Sequence, residues 1–277
     1  MVLAHMVGKV CLVTGATDGV GKVTARVLAE QGATVIGVGR NAAKIKAVIA
    51  EIGETPGSLE FLTADLSSQA QIRRLADEFK NKYDRLDVLV NNAGALFTSY
   101  RESVDGIEMT FALNHLSYFL LTNLLLDTII ASAPARIINV ASDVHGRSPL
   151  NFDDLNHRQH YDGGWSAYSA SKLANILFTY ELARRLAGTG VTVNTLHPGW
   201  VYTNFQKAAG LDMKGPLTPE QGADTQIWLA TSPEVEGITG KYFVKRRDTP
   251  SSAASYNQAF AQRLWEVSTE MVGLRTT

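Results

Sequence analysis

A chain of 277 residues, 45% of them hydrophobic, can bury a sizeable core, and open α/β sheets reach this size as a single unit. Its 26 basic and 27 acidic side chains leave a net charge of −1, which gives no sign of a nucleic-acid or anionic-membrane partner. One cysteine, Cys11, excludes a disulfide framework or a cysteine cluster for zinc, and the six histidines show no metal-ligand spacing.

Met1–Gly8 reads as a flexible N-terminus, too short for an anchor or a signal peptide. Lys9–Gly15 (KVCLVTG) reads as a short buried strand, apolar on both faces up to a glycine. GATDGVG follows, with Gly15, Gly19 and Gly21, and then KVTARVLAEQG has helical periodicity and stops at Gly32. A strand, a glycine turn and a helix set backbone N–H groups and a positive dipole end against a pyrophosphate. The spacing is G-x-x-x-G-x-G, not the generic G-x-G-x-x-G. Strands are predicted at Lys9–Thr14, Thr34–Val38, Ser58–Thr63, Val88–Asn91, Arg136–Ala141, Val191–Leu196 and Lys241–Val244, with helices between. Such alternation calls for one doubly wound parallel sheet with right-handed crossovers, a single domain over residues 1–277. Leu116–Ile130 is the most apolar stretch, but Asn123 and Asp127 interrupt it, and a core helix explains it better than a membrane span. A soluble cytoplasmic protein is therefore expected. Gly15, Asp65, Asn91, Ser142 and Pro198 all fall just past strand ends, at the edge where open sheets bind ligands.

In SAYSASKLANILFTYELARRL, Tyr168 and Lys172 stand one turn apart, and residues at i and i+4 share a helix face. A tyrosine titrates near ~10, too high for ready proton exchange at neutral pH. An ammonium about 4 Å away, at an effective dielectric of roughly 20, favours the phenolate by up to ~4 kcal/mol and should bring Tyr168 near working pH. Ser142 closes the apolar run RIINVAS; alone it could be a turn cap, and its place upstream of Tyr168 tips the balance toward chemistry.

Together these stretches resemble the classical short-chain dehydrogenase/reductase family. The family's elements occur in order: Thr14–Gly21 (TGATDGVG), Asp65–Leu66, Asn91–Gly94 (NNAG), Asn114, Ser142, Tyr168–Lys172 (YSASK) and Pro198–Gly199. LNHLSYFLLTNLLL, SKLANILFTYELARRL, LHPGWVYT, GITGKYF and RLWEVS are most similar to the retinol dehydrogenase-like group. The resemblance implies a Rossmann-type, seven-stranded sheet of order 3-2-1-4-5-6-7. It also implies that Gly15, Thr17, Asp18, Gly19, Val20 and Gly21 wrap a nicotinamide dinucleotide. Asp65 and Leu66 would contact its adenine, and Asn92, Ala93 and Gly94 its adenosine side. Lys172 would hold the nicotinamide ribose and the Tyr168 phenol, and Ser142 would orient the substrate oxygen. Asn114 would hold a water that relays protons through Lys172. Pro198, Gly199 and Thr203 would lie against the carboxamide or a phosphate. Family comparison puts a ribose-binding acid at the end of the second strand, where this chain has Gly39 followed by Arg40. A guanidinium matches a 2′-phosphate, so NADP(H) is expected over NAD(H).

The expected activity is NADP(H)-dependent hydride transfer to or from an apolar aldehyde, ketone or alcohol, retinal-like or xenobiotic. The alternatives are a steroid or other carbonyl reductase, and a non-catalytic NADP-binding redox sensor. Asp143–Ala167 should form part of the pocket rim, and residues 200–218 a substrate lid, its mobile part Thr203–Pro216 carrying Phe205 and Met213. Trp165, Trp200 and Phe205 suggest an apolar pocket. Apolar stripes at Ala170, Leu173, Ala174, Leu177 and Phe178 and at Leu116–Leu126 imply, by family likeness, a homodimer. The competing reading packs both stripes inside the chain, with Ala253–Leu274 covering them.

Overall fold

The computed structural model describes residues 6–202 and 215–275. The predicted apolar runs form β1 (Val10–Thr14), β2 (Thr34–Gly39), β3 (Ser58–Thr63), β4 (Val88–Asn91), β5 (Ala135–Val140), β6 (Val191–His197) and β7 (Tyr242–Val244), each pair of neighbours parallel. The order is β3-β2-β1-β4-β5-β6-β7, extended by a short antiparallel strand β8 (Arg247–Asp248). The sheet thus has eight strands, one more than expected. The turn into β8 is made by Lys245 and Arg246, both at positive φ (51° and 61°). Two-residue hairpin turns of that conformation normally advertise themselves with Asn or Gly, so the sequence held no such signal.

Between the strands run α1 (Gly19–Glu30), α2 (Ala42–Ile52), α3 (Gln69–Lys82), α4 (Met109–Ala131), α5 (Trp165–Arg185), α6 (Pro219–Thr231) and α7 (Gln258–Met271). Their starts are written in the sequence. Asp18, Asn41 and Ser68 cap α1, α2 and α3 through their side chains, and Thr218 with Gln221 forms a reciprocal capping box on α6. Because helices cover both faces, β1 is buried at all five positions and its residues alternate between two cores. Leu12 joins Ile36, Leu89 and Ile137 beneath α3, α4 and α5, whereas Cys11 and Val13 join Val35, Val90 and Ile138 beneath α1 and α6. Phe79, fully buried in the first core, is the kind of residue whose truncation to Ala costs about 3–5 kcal/mol.

Three expectations meet the fold here, and the first of them changes. Met6 is not part of a loose terminus: it is buried and its N–H donates to the Gln31 carbonyl at 3.2 Å. Helix α4 is long and apolar enough to cross a membrane, yet 72% of its apolar window is buried inside the chain, as a core helix requires. Much of the two apolar stripes proposed for a two-fold pairing is covered within the chain, with Leu124 and Leu126 only partly buried. Ala170, Leu173, Ala174, Leu177 and Phe178 are all buried, and Trp265 of α7 packs edge-on against Phe119 and tilted against Phe178, with ring centres 5.0 and 5.9 Å away. Helix α7 thus covers part of the surface that a partner would use, as the competing reading has it.

Candidate active site

All parallel strands point their carboxyl ends the same way, and there a cleft of about 750 Å³ opens across the β1/β4 switch point. Its floor is set by the first turn. Gly15 has φ +68°, and a Cβ there would lie 3.0 Å from Ala93 Cα; a Cβ on Gly21 would run into the Asn92 amide and the Gly15 carbonyl. The ends of β1 and β4 are laced together. Thr14 Oγ1 accepts from the N–H groups of Asn92 (2.8 Å) and Ala93 (3.0 Å), and Asn92 Nδ2 donates to the Thr14 carbonyl at 2.9 Å. The result is a shallow cradle without side chains, as close approach of a diphosphate requires.

Beyond the cradle, Asp65 is oriented by Ser67, whose N–H and hydroxyl both donate to Oδ1. A Cβ on Gly39 would meet the Thr17 methyl, so a side chain there requires Thr17 to shift. Arg40 lines the cleft and makes no ion pair among the described residues. Lys44, which the sequence reading missed, also lines it, with Nζ 3.7 Å from the carboxylate of Asp18, itself accepting from Gly19 N at 2.8 Å.

At the other end of the cleft stand Ser142, Tyr168 and Lys172. Ser142 begins a helical turn after β5, and its carbonyl accepts from His145 Nδ1 at 2.6 Å. Lys172 is buried; its Nζ donates to the Val140 carbonyl at 3.1 Å and lies 5.5 Å from the Tyr168 ring centre. Burial, with no compensating anion, lowers the Lys172 ammonium to about 7. For Tyr168 the expected depression is overturned. Burial raises the phenol well above its ordinary value; a hydrogen bond with the Ser142 side chain lowers it and the charge of Asp143 raises it further, but burial dominates. Proximity to a lysine was legible in the sequence, whereas the loss of water around both groups was not.

Apart from Thr203, the residues expected at the cofactor line the cleft, from Gly15, Thr17, Asp18, Gly19, Val20 and Gly21 through Arg40, Asp65, Leu66, Asn92, Ala93 and Gly94 to Pro198 and Gly199. Asn114 stands behind the wall in a π-helical turn, Ala112–Leu116, inside α4. Its side chain holds Ala95 from both sides, accepting from N at 2.9 Å and donating to O at 3.0 Å. Thr203, Phe205 and Met213 lie outside the described residues. The flanks of that segment are paired, Tyr202 N donating to the Leu217 carbonyl at 2.9 Å. His197 also lines the cleft, and its Nδ1 accepts from Asp143 N at 3.2 Å. Trp165 and Trp200 stand half-exposed at the mouth, with Val144, Arg147 and Leu113 nearby on the wall. Among the described residues no cluster of His, Cys, Asp and Glu could hold a metal.

This is the site of a dinucleotide-dependent oxidoreductase, and the comparisons agree. Residues 9–214 match the short chain dehydrogenase family, to which the chain belongs, within its classical, retinol dehydrogenase-like group. Retinol dehydrogenase 14 of Homo sapiens is 43% identical over 97% of this chain and 88% of its own length. Polyprenol dehydrogenase of Homo sapiens is 44% identical over 96% and 86%. A protein from Mycobacterium Paratuberculosis superposes with TM-score 0.82 at 32% identity, covering 98% of this chain and 96% of that one. The Pseudomonas aeruginosa RhlG/NADP active-site complex follows with TM-score 0.72 at 28% identity, over 92% and 99%.

Proposed function

We propose that the protein is an NADP(H)-dependent oxidoreductase that moves hydride between nicotinamide and an apolar aldehyde or ketone and its alcohol, with Tyr168 as acid–base. The observation that carries this reading is the convergence of Ser142, Tyr168 and Lys172 on one cleft whose other end is the side-chain-free cradle of Gly15 and Gly21. The residues fit the cofactor. Gly15–Gly21 and Asn92–Gly94 would hold its diphosphate and adenosine, Asp65 its adenine, and Lys172 its nicotinamide ribose; when bound, it supplies the hydride. Ser142 orients the carbonyl oxygen and Tyr168 delivers the proton to it, a step favoured by a phenol that burial keeps protonated. Lys172, charged below about pH 7, neutralises the developing phenolate, and Asn114 steadies the wall at Ala95.

The choice of NADP(H) rests on Arg40 and Lys44 at the ribose end and on Gly39, which places no acid there. The substrate class rests on the apolar mouth at Leu113, Trp165 and Trp200, and on relatives named for retinol and polyprenol, both long isoprenoid alcohols. Residues 200–218 would be the substrate lid, and the cytoplasm the working compartment. A panel of retinoid, polyprenoid, steroid, aliphatic and aromatic carbonyls, followed by NADPH and NADH oxidation, tests the reading. Turnover of steroids alone would move it to the runner-up class, and NADPH binding without turnover of any carbonyl would leave a nucleotide-binding sensor.

A further inference from the structure

Behind the catalytic wall runs a chain of polar side chains in an otherwise apolar core. Ser268 on α7, His115 in the π-helical turn of α4 and Asn175 on α5 are each fully buried. His115 is packed among Phe111, Phe119 and Phe178, with ring centres 5.0, 6.3 and 6.2 Å away. Polar groups in such surroundings are unfavourable unless every one is satisfied, and apolar residues of similar volume would fill the space more simply.

The direction of each hydrogen bond is fixed. Asn175 Nδ2 faces two carbonyls, Asn114 O at 2.9 Å and Val140 O at 3.4 Å, so it donates to both. Asn175 Oδ1 is then the acceptor 3.3 Å from His115 Nδ1, which must carry the proton. His115 Nε2 is left as an acceptor for the Ser268 hydroxyl at 2.9 Å. The chain therefore ends on the backbone carbonyl of Asn114 and on the same Val140 carbonyl that receives the Lys172 ammonium. Asn175 lies one turn beyond Lys172 on the same helix, and Asn114 sits where the π turn displaces the helix backbone.

We infer that Asn175 is a positioning residue for the reaction. Held by His115 and Ser268, it fixes the Asn114 carbonyl and sets the Val140 carbonyl against Lys172, and so makes the C-terminal helix α7 part of the active-site scaffold. The inference rests on the assignment of Tyr168 and Lys172 as the acid–base pair. The test compares Asn175→Leu, Ser268→Ala and Ser268→Thr in the full chain, with NADPH and retinal as the probes. A displacement of reacting groups by about 1 Å costs on the order of a hundredfold. Asn175→Leu should therefore lower kcat about ten- to a hundredfold, and Ser268→Ala severalfold. The KM for retinal and the Kd for NADPH, the latter read by fluorescence titration, should stay within about twofold, because no bound group is touched. Ser268→Thr keeps the hydroxyl and should recover the parent kcat. Unchanged kcat in the folded Asn175→Leu and Ser268→Ala variants overturns the inference, as does a loss that Ser268→Thr fails to recover. Should Asn175→Leu not fold, the Ser268 pair decides alone. Tyr168→Phe run alongside separates the two readings. Activity retained there sinks the acid–base assignment, whereas an inactive Tyr168→Phe with a fully active Asn175→Leu sinks only the role of Asn175.

Discussion

Lys172 reaches past the ring of Tyr168, its Nζ 5.5 Å from the ring centre, and ends on the Val140 carbonyl at 3.1 Å. Burial pushes both residues toward their neutral forms, the phenol up and the ammonium down. On the proposed assignment, that opposition keeps Tyr168 in the form that donates a proton. A protonated phenol is ready to donate to a carbonyl oxygen, whereas alcohol oxidation must first remove its proton.

Tyr168→Phe removes the donor oxygen and leaves the ring in place. We expect the folded variant to bind NADPH as the parent does and to lose most turnover, by roughly 10²–10⁴. Near-parental activity on a confirmed carbonyl would refute the assignment.

The pH dependence of carbonyl reduction should follow Lys172. The phenol stays protonated through neutrality, so it sets no limb there, while the ammonium titrates at about 7. With NADPH saturating, kcat should be level below that pH. Above it, kcat should fall by up to tenfold for each pH unit as Lys172 loses its charge. A profile level to pH 9 would show that Lys172 stays charged in the working complex.

Cofactor choice should answer to three charges at the ribose end of the cleft. Arg40→Ala removes a charge-assisted contact worth ~1.5–3 kcal/mol and should weaken NADPH binding about ten- to a hundredfold while sparing NADH. Asp18→Asn keeps an oxygen to cap Gly19 but deletes the negative charge beside Lys44, so NADPH should bind tighter, by up to about fivefold. Dissociation constants for both cofactors, measured on both variants, check the opposite signs. Equal affinities of the parent for NADPH and NADH would end the argument for a 2′-phosphate site.

Much of this was legible in the chain because apolar runs, glycine turns and capping residues each act locally. The seven parallel strands fell within a residue or two of their expected ends, and the cradle follows from Gly15 and Gly21. What was not legible depends on distant packing. Nothing near Asn114 announces a π turn, nothing near Lys44 announces that α2 delivers it to Asp18, and His197 reads as packing until β6 is seen to end on the cleft. Tyr168 is the sharpest case. Its neighbour could be read from an i, i+4 spacing, but the solvent excluded around it belongs to the whole fold.

His115 should make the protein acid-sensitive, and the sign can be worked out. Burial lowers its imidazole from 6.5 to about 4, against a hydrogen bond donated to Asn175 Oδ1 that raises it only partly. The unfolded chain therefore binds a proton below 6.5 that the native chain refuses until about 4. Stability is full above 6.5 and is lost as the pH falls through that window, by roughly 3 kcal/mol in all. Between pH 7.5 and pH 5, where the carboxylates are still largely ionised, the loss from this one residue is about 2 kcal/mol. Urea unfolding at those two pH values measures it directly. His115→Leu is expected to be less stable than the parent at pH 7.5, because Asn175 and Ser268 lose their partner. Its stability should nonetheless change by about 2 kcal/mol less than the parent's on going to pH 5. If parent and variant lose the same amount, His115 is protonated in the native chain, and the tautomer that links Asn175 to Ser268 is wrong.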